Sequence, residues 1–515
     1  MTKFKLLAAS VVSAHASKSI QLSYSASMQP LMDISIGNQW LKLVFDASSA
    51  DTAVFVKEMD ACSLSTSCYS YEQSLQKGTV KICAANSNIG CVPGQGSDYV
   101  CDPTVLANLS SANAHKESLM IDGLQYNQRG VEGIEEVSLV LNGDDAPMDL
   151  SRMPLRLLVQ PMSLPSVQRP QDLPMQLFAD TSGIIGASGP TLSCRNESIW
   201  GELLKRLDVK LIIFDWHAPM QAKKGQIDQV SRVVFDDIDE RFHQQLVWSQ
   251  QKQTGDALND GMYEFLLYHP SICGIDLLYN TSSNWLVVID TSGPCLALPS
   301  FLFDRLRSRV ELDCPFGNGE LSLGMLCSPR RGASGTNKLP TLEFALDDAQ
   351  QPAPPKLTLP LERLVFDDSA TGKELLCVSR ADDEAVLRQA DMLNAHIALG
   401  SLAVAAFYVV ANLENSTVAL ASRGDVASES SADTCIDSIR CISPMQTYFP
   451  PSNICEDPRC SEYIFMTLDE NTKMCVWSSA IPLCFGLLLA ALLALDFISH
   501  RLYKQAIRKA SESRQ

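Results

Sequence analysis

Two stretches of this 515-residue chain place an acid where hydrolytic chemistry would need one. In LKLVFDASSADTAVF, residues 41–55, a hydrophobic run ends at Asp46 and passes into small and hydroxylated residues. In WLVVIDTSGPCLALP, residues 285–299, a β-branched run ends at Asp290, again followed by small residues. A single Asp at a strand end is an ordinary turn residue, because its carboxylate hydrogen-bonds its own backbone. A second copy in the same local pattern points instead to internal repetition, which is a property of the whole fold. Two carboxylates converging on one water cannot both ionise, so they share a proton. One then serves as base toward the water and the other as acid toward a scissile carbonyl. Such a pair titrates as a unit and requires no metal and no organic cofactor.

The elements that must position this pair also repeat. After a lobe-sized interval each copy is followed by two apolar residues and a glycine on a short strand, SGIIGAS around Gly186 and HIALGSL around Gly400. The chain reads as two similar halves, each with one Asp loop and one buried strand crossing beneath it. Upstream of Asp46, LMDISIGNQWLKLVFD has the form of a strand, a glycine turn and a second strand. GVEGIEEV, with Gly130, Gly133 and Val137, follows in the first half, and RVVFDDIDERFHQQLVW lies near the junction of the halves. ALGSLAVAAFYVVANLENSTVALAS closes the second half. In this order the pieces resemble the pepsin-like aspartic proteases over roughly residues 28–424.

The resemblance implies an all-β, bilobal fold: two β-barrel-like lobes with pseudo-twofold symmetry, an N-terminal lobe over 17–240 and a C-terminal lobe over 241–424. It implies Asp46 and Asp290 as the catalytic pair, a protein or peptide substrate held extended in the interlobe cleft, and a monomer. It also implies a short disulfide between Cys62 and Cys68. GVEGIEEV is similar to the strand returning from the family's flap, which puts the flap tyrosine's position on or near Gly123, with Tyr126 the nearest substitute.

The Asp loops depart from the family's Asp-Thr/Ser-Gly-Ser/Thr pattern. They read Asp46-Ala47-Ser48-Ser49 and Asp290-Thr291-Ser292-Gly293, so both glycines have become serines. Glycine permits close backbone approach and unusual dihedrals, and Ser48 and Ser292 therefore predict loops that stand farther apart or are strained. In the family the hydroxyl after each Asp bonds across to the opposite loop, a role Thr291 retains and Ala47 has lost. The later hydroxyl that steadies each Asp survives as Ser49 and is missing at Gly293. Two functional classes follow: a membrane-anchored aspartic endopeptidase of reduced activity, or a catalytically inactive ectodomain that binds a peptide or protein.

Composition sets the compartment. Seventeen cysteines without a matched CxxC pair or spaced histidines predict disulfides in an oxidising compartment. Lys3 and Lys5, the apolar run LLAASVVSA and the small residues ending at Ala16 read as a secretory signal peptide over 1–16. Asn108, Asn196, Asn280 and Asn415 begin Asn-x-Ser/Thr sequons. The short interval between Ala16 and the strand near Leu31 predicts maturation without removal of a large propeptide.

Residues 474–495 are uncharged and long enough to cross a bilayer, and Arg501, Lys504, Arg508, Lys509 and Arg514 follow. They predict a transmembrane helix over 474–498, a cytoplasmic tail over 499–515 and a single-pass type I protein of the cell surface or endolysosomal membrane. A stalk over 425–473, pinned by Cys435, Cys441, Cys455 and Cys460, would join it to the catalytic-like body. A net charge of −18 excludes a simple basic nucleic-acid surface. Neither a Gly-x-Ser-x-Gly elbow nor a His-Glu-x-x-His motif is present, and the seven histidines include one within 1–16.

Overall fold

The computed structural model describes residues 18–25, 27–57, 68–70, 79–80, 99–100, 115–121, 124–142, 146–163, 180–189, 198–217, 230–250, 263–278, 284–314, 326–330, 339–347, 355–367, 372–380, 397–423, 435–462, 466–478 and 480–512. The signal-peptide segment, Cys62, Gly123 and three of the four sequons lie outside them. Asn415 is described, on the exposed turn between strands Phe407–Asn412 and Thr417–Ser422.

The described chain is mostly β. The apolar run that ends at Asp46 forms strand Gln39–Asp46, which pairs antiparallel with Pro30–Ile36. Gly37 and Asn38 link them with positive φ at both positions (55° and 63°), the hairpin turn whose twist matches that of its strands. A thirteen-stranded sheet runs in the order Val247–Trp248, Thr417–Ser422, Phe407–Asn412, Leu211–Asp215, Ser231–Phe235, Ser19–Tyr24, Pro30–Ile36, Gln39–Asp46, Gly183–Gly186, Ala53–Phe55, Met148–Ser163, Leu124–Leu139, His115–Ile121. An eight-stranded sheet carries Leu357–Pro360, Thr341–Ala345, Glu264–Ile272, Asn284–Ile289, Ile397–Leu399, Leu296–Leu298 and Val378–Arg380 in that order, with Ile275–Asp276 paired to Glu264–Ile272.

Strands from either side of 240/241 meet in one sheet. Phe407–Asn412 pairs with Leu211–Asp215, so strands from the second half complete the first sheet, and the chain as far as Ile436 forms one unit. Pairing at this seam satisfies backbone groups that two separate sheets would each leave at an open edge.

Side chains reinforce the seam. Arg423 Nη2 lies 2.8 Å from Asp215 Oδ1, and Arg232 Nε lies 3.0 Å from Asp215 Oδ2. The Arg423 guanidinium also lies over the rings of Phe242 and Tyr408, which stack on each other. Burial pushes the Asp215 carboxyl up, but hydrogen bonds from His217 and Arg423 and the charge on Arg423 outweigh it and hold Asp215 well below the usual carboxylate range. Its charge therefore persists into strongly acidic solution.

Asp437–Gln515 forms a second unit. Its hairpins Thr447–Phe449/Ile454–Glu456 and Met466–Asp469/Met474–Trp477 are pinned by Cys441–Cys455 and Cys460–Cys475. Cys435 does not belong to this framework; it bonds Cys273 of the first unit. The long helix runs Ala480–Glu512 instead of starting at 474, because Lys473 turns the chain with φ 52° and Met474–Trp477 pairs as a strand carrying Cys475. Lack of charge is necessary for a membrane segment, but here the first residues of the uncharged run are taken by a disulfide-bonded hairpin. Ile481–Ala510 is long and apolar enough to cross a membrane, and side chains such as Phe485 and Leu488 are exposed along it.

Candidate active site

Asp46 and Asp290 occupy equivalent places in a repeated arrangement. Gly183–Gly186 runs parallel to Gln39–Asp46, with Gly186 opposite Asp46, and antiparallel to Ala53–Phe55 beyond the loop. Ile397–Leu399 runs parallel to Asn284–Ile289 and antiparallel to Leu296–Leu298 in the same way. The hydrogen bonds repeat as well. Ser188 donates its N–H to Ser49 O (2.8 Å), and Ser401 donates its N–H to Gly293 O (2.9 Å). Each glycine ending a crossing strand packs directly on the loop above it. A Cβ on Gly186 would stand 2.4 Å from the Ala50 carbonyl carbon, and one on Gly400 would stand 2.2 Å from Cys295 O.

The floor behind Asp46 is aromatic. Phe45 meets Trp200 and Trp216 edge to face, with ring centroids at 5.2 and 5.9 Å. Trp200 Nε1 donates to Tyr263 OH (3.1 Å), which donates to Ala187 O (2.8 Å), so helix Ile199–Leu207 is tied to the chain just beyond Gly186. On the other side, Cys295 immediately follows the second Asp loop and bonds Cys377.

The two loops are in contact. Thr291 Oγ1 accepts the Ala47 N–H at 2.9 Å and donates to Phe45 O at 2.6 Å, joining the Asp290 loop to the backbone on both sides of Asp46. Ala47 sends no hydroxyl back, so this bracing runs in one direction. Serine in place of glycine brings no left-handed backbone strain to either loop. Neither Ser48 nor Ser292 takes a positive φ, and both turn their hydroxyls onto the carboxylates.

Ser48 donates its N–H to Asp46 Oδ1 at 2.8 Å, and its hydroxyl lies 2.7 Å from the same oxygen. Ser49 donates its hydroxyl to Asp46 Oδ2 at 2.6 Å. The support that Gly293 cannot give Asp290 comes from its neighbour: Ser292 donates its hydroxyl (2.6 Å) and its N–H (3.2 Å) to Asp290 Oδ1. Ser48 Oγ also lies 3.3 Å from Asp290 Oδ1, so one hydroxyl reaches both acids. Asp46 is fully buried and Asp290 nearly so. Burial pushes the Asp46 carboxyl above its ordinary range, against the opposing pull of hydrogen bonds from Ser49 and Ser48.

Two contributors were not singled out from sequence. Gln29 is completely buried and donates from Nε2 to Ser292 O, while its Oε1 has no hydrogen-bond partner among the described residues. Its signal was only a polar residue in QPLMDISI, at the start of an apolar strand. Ser401 donates its hydroxyl to Met28 O at 2.6 Å and so ties the second crossing strand to the turn that holds Gln29.

The stretch read as the flap forms a long hairpin of His115–Ile121 with Leu124–Leu139, which pairs with strand Pro30–Ile36 through Val137 and Ser138. Tyr126 lies on it opposite Leu119, and Gly123 falls outside the described residues. Cys68 is disulfide-bonded; its expected partner Cys62 is likewise outside them.

Comparison of the chain with protein-family models and with curated proteins finds no match.

Proposed function

We propose that this chain is a membrane-anchored aspartic endopeptidase of pepsin-like, bilobal fold, hydrolysing peptide bonds with a water activated between Asp46 and Asp290. The observation that carries it is the meeting of two equivalent Asp loops, joined by Thr291 and touched by a single hydroxyl from Ser48. Acids that close force one carboxyl to stay protonated near neutrality or below. The ionised partner takes a proton from water as the oxygen attacks the scissile carbonyl, and the protonated partner donates to the carbonyl oxygen. Collapse of the tetrahedral species expels the amine, which takes the proton held by the first carboxyl, while the second carboxylate recovers its proton from a hydroxyl of the collapsing species.

The test is cleavage of a diverse peptide pool by the full-length protein in detergent, between about pH 3 and 6.5, the range in which a carboxyl pair holds one proton. Slow cleavage on the acid side, absent in Asp290→Asn, is the expected result. Cleavage that survives in Asp290→Asn would reject the mechanism.

A second reading has its own observation. Both acids are buried beneath Ser48, and Ala47 offers no hydroxyl to the opposite loop. That suits an inactive cleft kept for binding a peptide or protein. Complete absence of cleavage at every pH, in the wild type and in variants that open the site, would favour it.

The disulfides and the basic residues that follow the uncharged run support an orientation with the first unit lumenal or extracellular and the tail cytosolic. Protease added outside sealed, cytosol-side-out vesicles is expected to remove the tail after Arg501 and spare the region around Asp46. Digestion around Asp46 in intact vesicles would overturn this orientation.

A further inference from the structure

We propose that the Ser48 hydroxyl occupies the place of the nucleophilic water and acts as an internal plug that holds the paired acids in check. This rests on the endopeptidase reading above and adds to it the group that limits the site. A water activated by both carboxylates must sit within hydrogen-bonding reach of each. Ser48 Oγ is already there, at 2.7 Å from Asp46 Oδ1 and 3.3 Å from Asp290 Oδ1, and two oxygens cannot share the position.

Access points the same way. Of Asp46–Ser49 and Asp290–Gly293, only Ser48 and Ser49 are not buried. The acids are screened by the very hydroxyl that touches both of them. Ser49 differs, because its hydroxyl bonds the other oxygen of Asp46. Ser292 differs too: it is fully buried and its hydroxyl bonds its own acid. Restoring glycine at Ser292 would remove a support, whereas restoring it at Ser48 would vacate the nucleophile's place.

The plug is also matched to protonation. A serine hydroxyl has one proton, so it donates to one carboxylate and satisfies the other only by accepting from its protonated form. It therefore fits best the singly protonated pair, the state in which water would otherwise be activated. Once the second proton leaves, one of its two contacts becomes unfavourable, and the hold weakens as pH rises.

The experiment compares the full-length wild type with Ser48→Gly and Ser48→Ala at about pH 4.5, near the ordinary range of carboxyl titration. Ser48→Ala removes only the oxygen and covers the case in which glycine loosens the loop. Two quantities are measured: the rate of cleavage of the peptide pool, and binding of a peptide whose scissile amide is replaced by a hydroxyl-bearing tetrahedral carbon. That hydroxyl competes for the same place as Ser48 Oγ. At least one Ser48 variant is expected to bind the probe about tenfold to a hundredfold more tightly than wild type, the worth of one hydrogen bond to a charged group. It is also expected to cleave faster by a similar factor, with a pH profile shifted from that of wild type. Tighter probe binding without cleavage would sustain the plug and reject the endopeptidase. Equal probe binding and equal cleavage in all three proteins would sustain the endopeptidase and overturn the plug. Failure of every form to bind or cleave would overturn both.

Discussion

Gly400→Ala is expected to destabilise the first unit by more than about 4 kcal/mol, enough to prevent its accumulation as a folded protein. The reason is space and not backbone freedom. Gly400 has φ −70° and ψ 172°, values any residue adopts. A Cβ there, however, would stand 2.2 Å from Cys295 O, 2.5 Å from Cys295 N and 2.5 Å from the Pro294 carbonyl carbon. All three are backbone atoms of the Asp290 loop, and Cys295 is held behind by its disulfide to Cys377, so nothing there moves cheaply. Gly274 provides the contrast: it has φ +72° and open space around it, so alanine there is expected to cost only about 1 kcal/mol from the left-handed backbone. Yield and thermal unfolding of the two variants measure the difference. A Gly400→Ala protein with wild-type unfolding would mean that the crossing strand does not press on the Asp loop as described.

Asp46→Asn is expected to act in two directions. An amide cannot accept the proton from water, so cleavage is expected to fall by roughly a hundredfold to ten-thousandfold, the usual worth of a general base. Stability is expected to move the other way near neutrality. The folded-state pKa of Asp46 is raised, chiefly by burial, so folding favours its protonated form. The contribution of that form is fully present below the unfolded value, about 3.9, and is lost as pH rises through the folded value. Asparagine stays neutral throughout and escapes this loss. Unfolding midpoints measured from mildly acidic to neutral pH should therefore fall less steeply for Asp46→Asn than for wild type. Asp215 contributes with the opposite sign. Its depressed pKa supplies stability above the unfolded value that is lost only as pH falls through a much lower folded value, so the Arg423 seam is expected to endure the acid range. Parallel pH dependence in wild type and Asp46→Asn would remove Asp46 as the titrating group.

Much of this site can be read along the chain. A β-branched run stopped by Asp, followed later by two apolar residues and a glycine, marks both Asp46 and Asp290, because strand formation and close backbone packing leave local signatures in residue type. The apolar segment before Arg501 is just as plain, since bilayer thickness sets a length that few other structures require. Residue type at Ser48 and Ser292, by contrast, suggested a single effect for both, the loss of a glycine. Tertiary structure separated them: Ser292 Oγ steadies its own acid, while Ser48 Oγ reaches across to an acid 242 residues away. The same holds for Cys435, which lies among the stalk cysteines in sequence and bonds Cys273 instead, and for Gln29, whose buried amide meets Ser292 O. Sequence by itself determined which short segments could form strands, turns and a membrane helix, because those depend on residues within a few positions of one another. Which hydroxyl faces which carboxylate depends on distances of a few tenths of an ångström between segments brought together only by the packed sheets, and that was decided by tertiary structure alone.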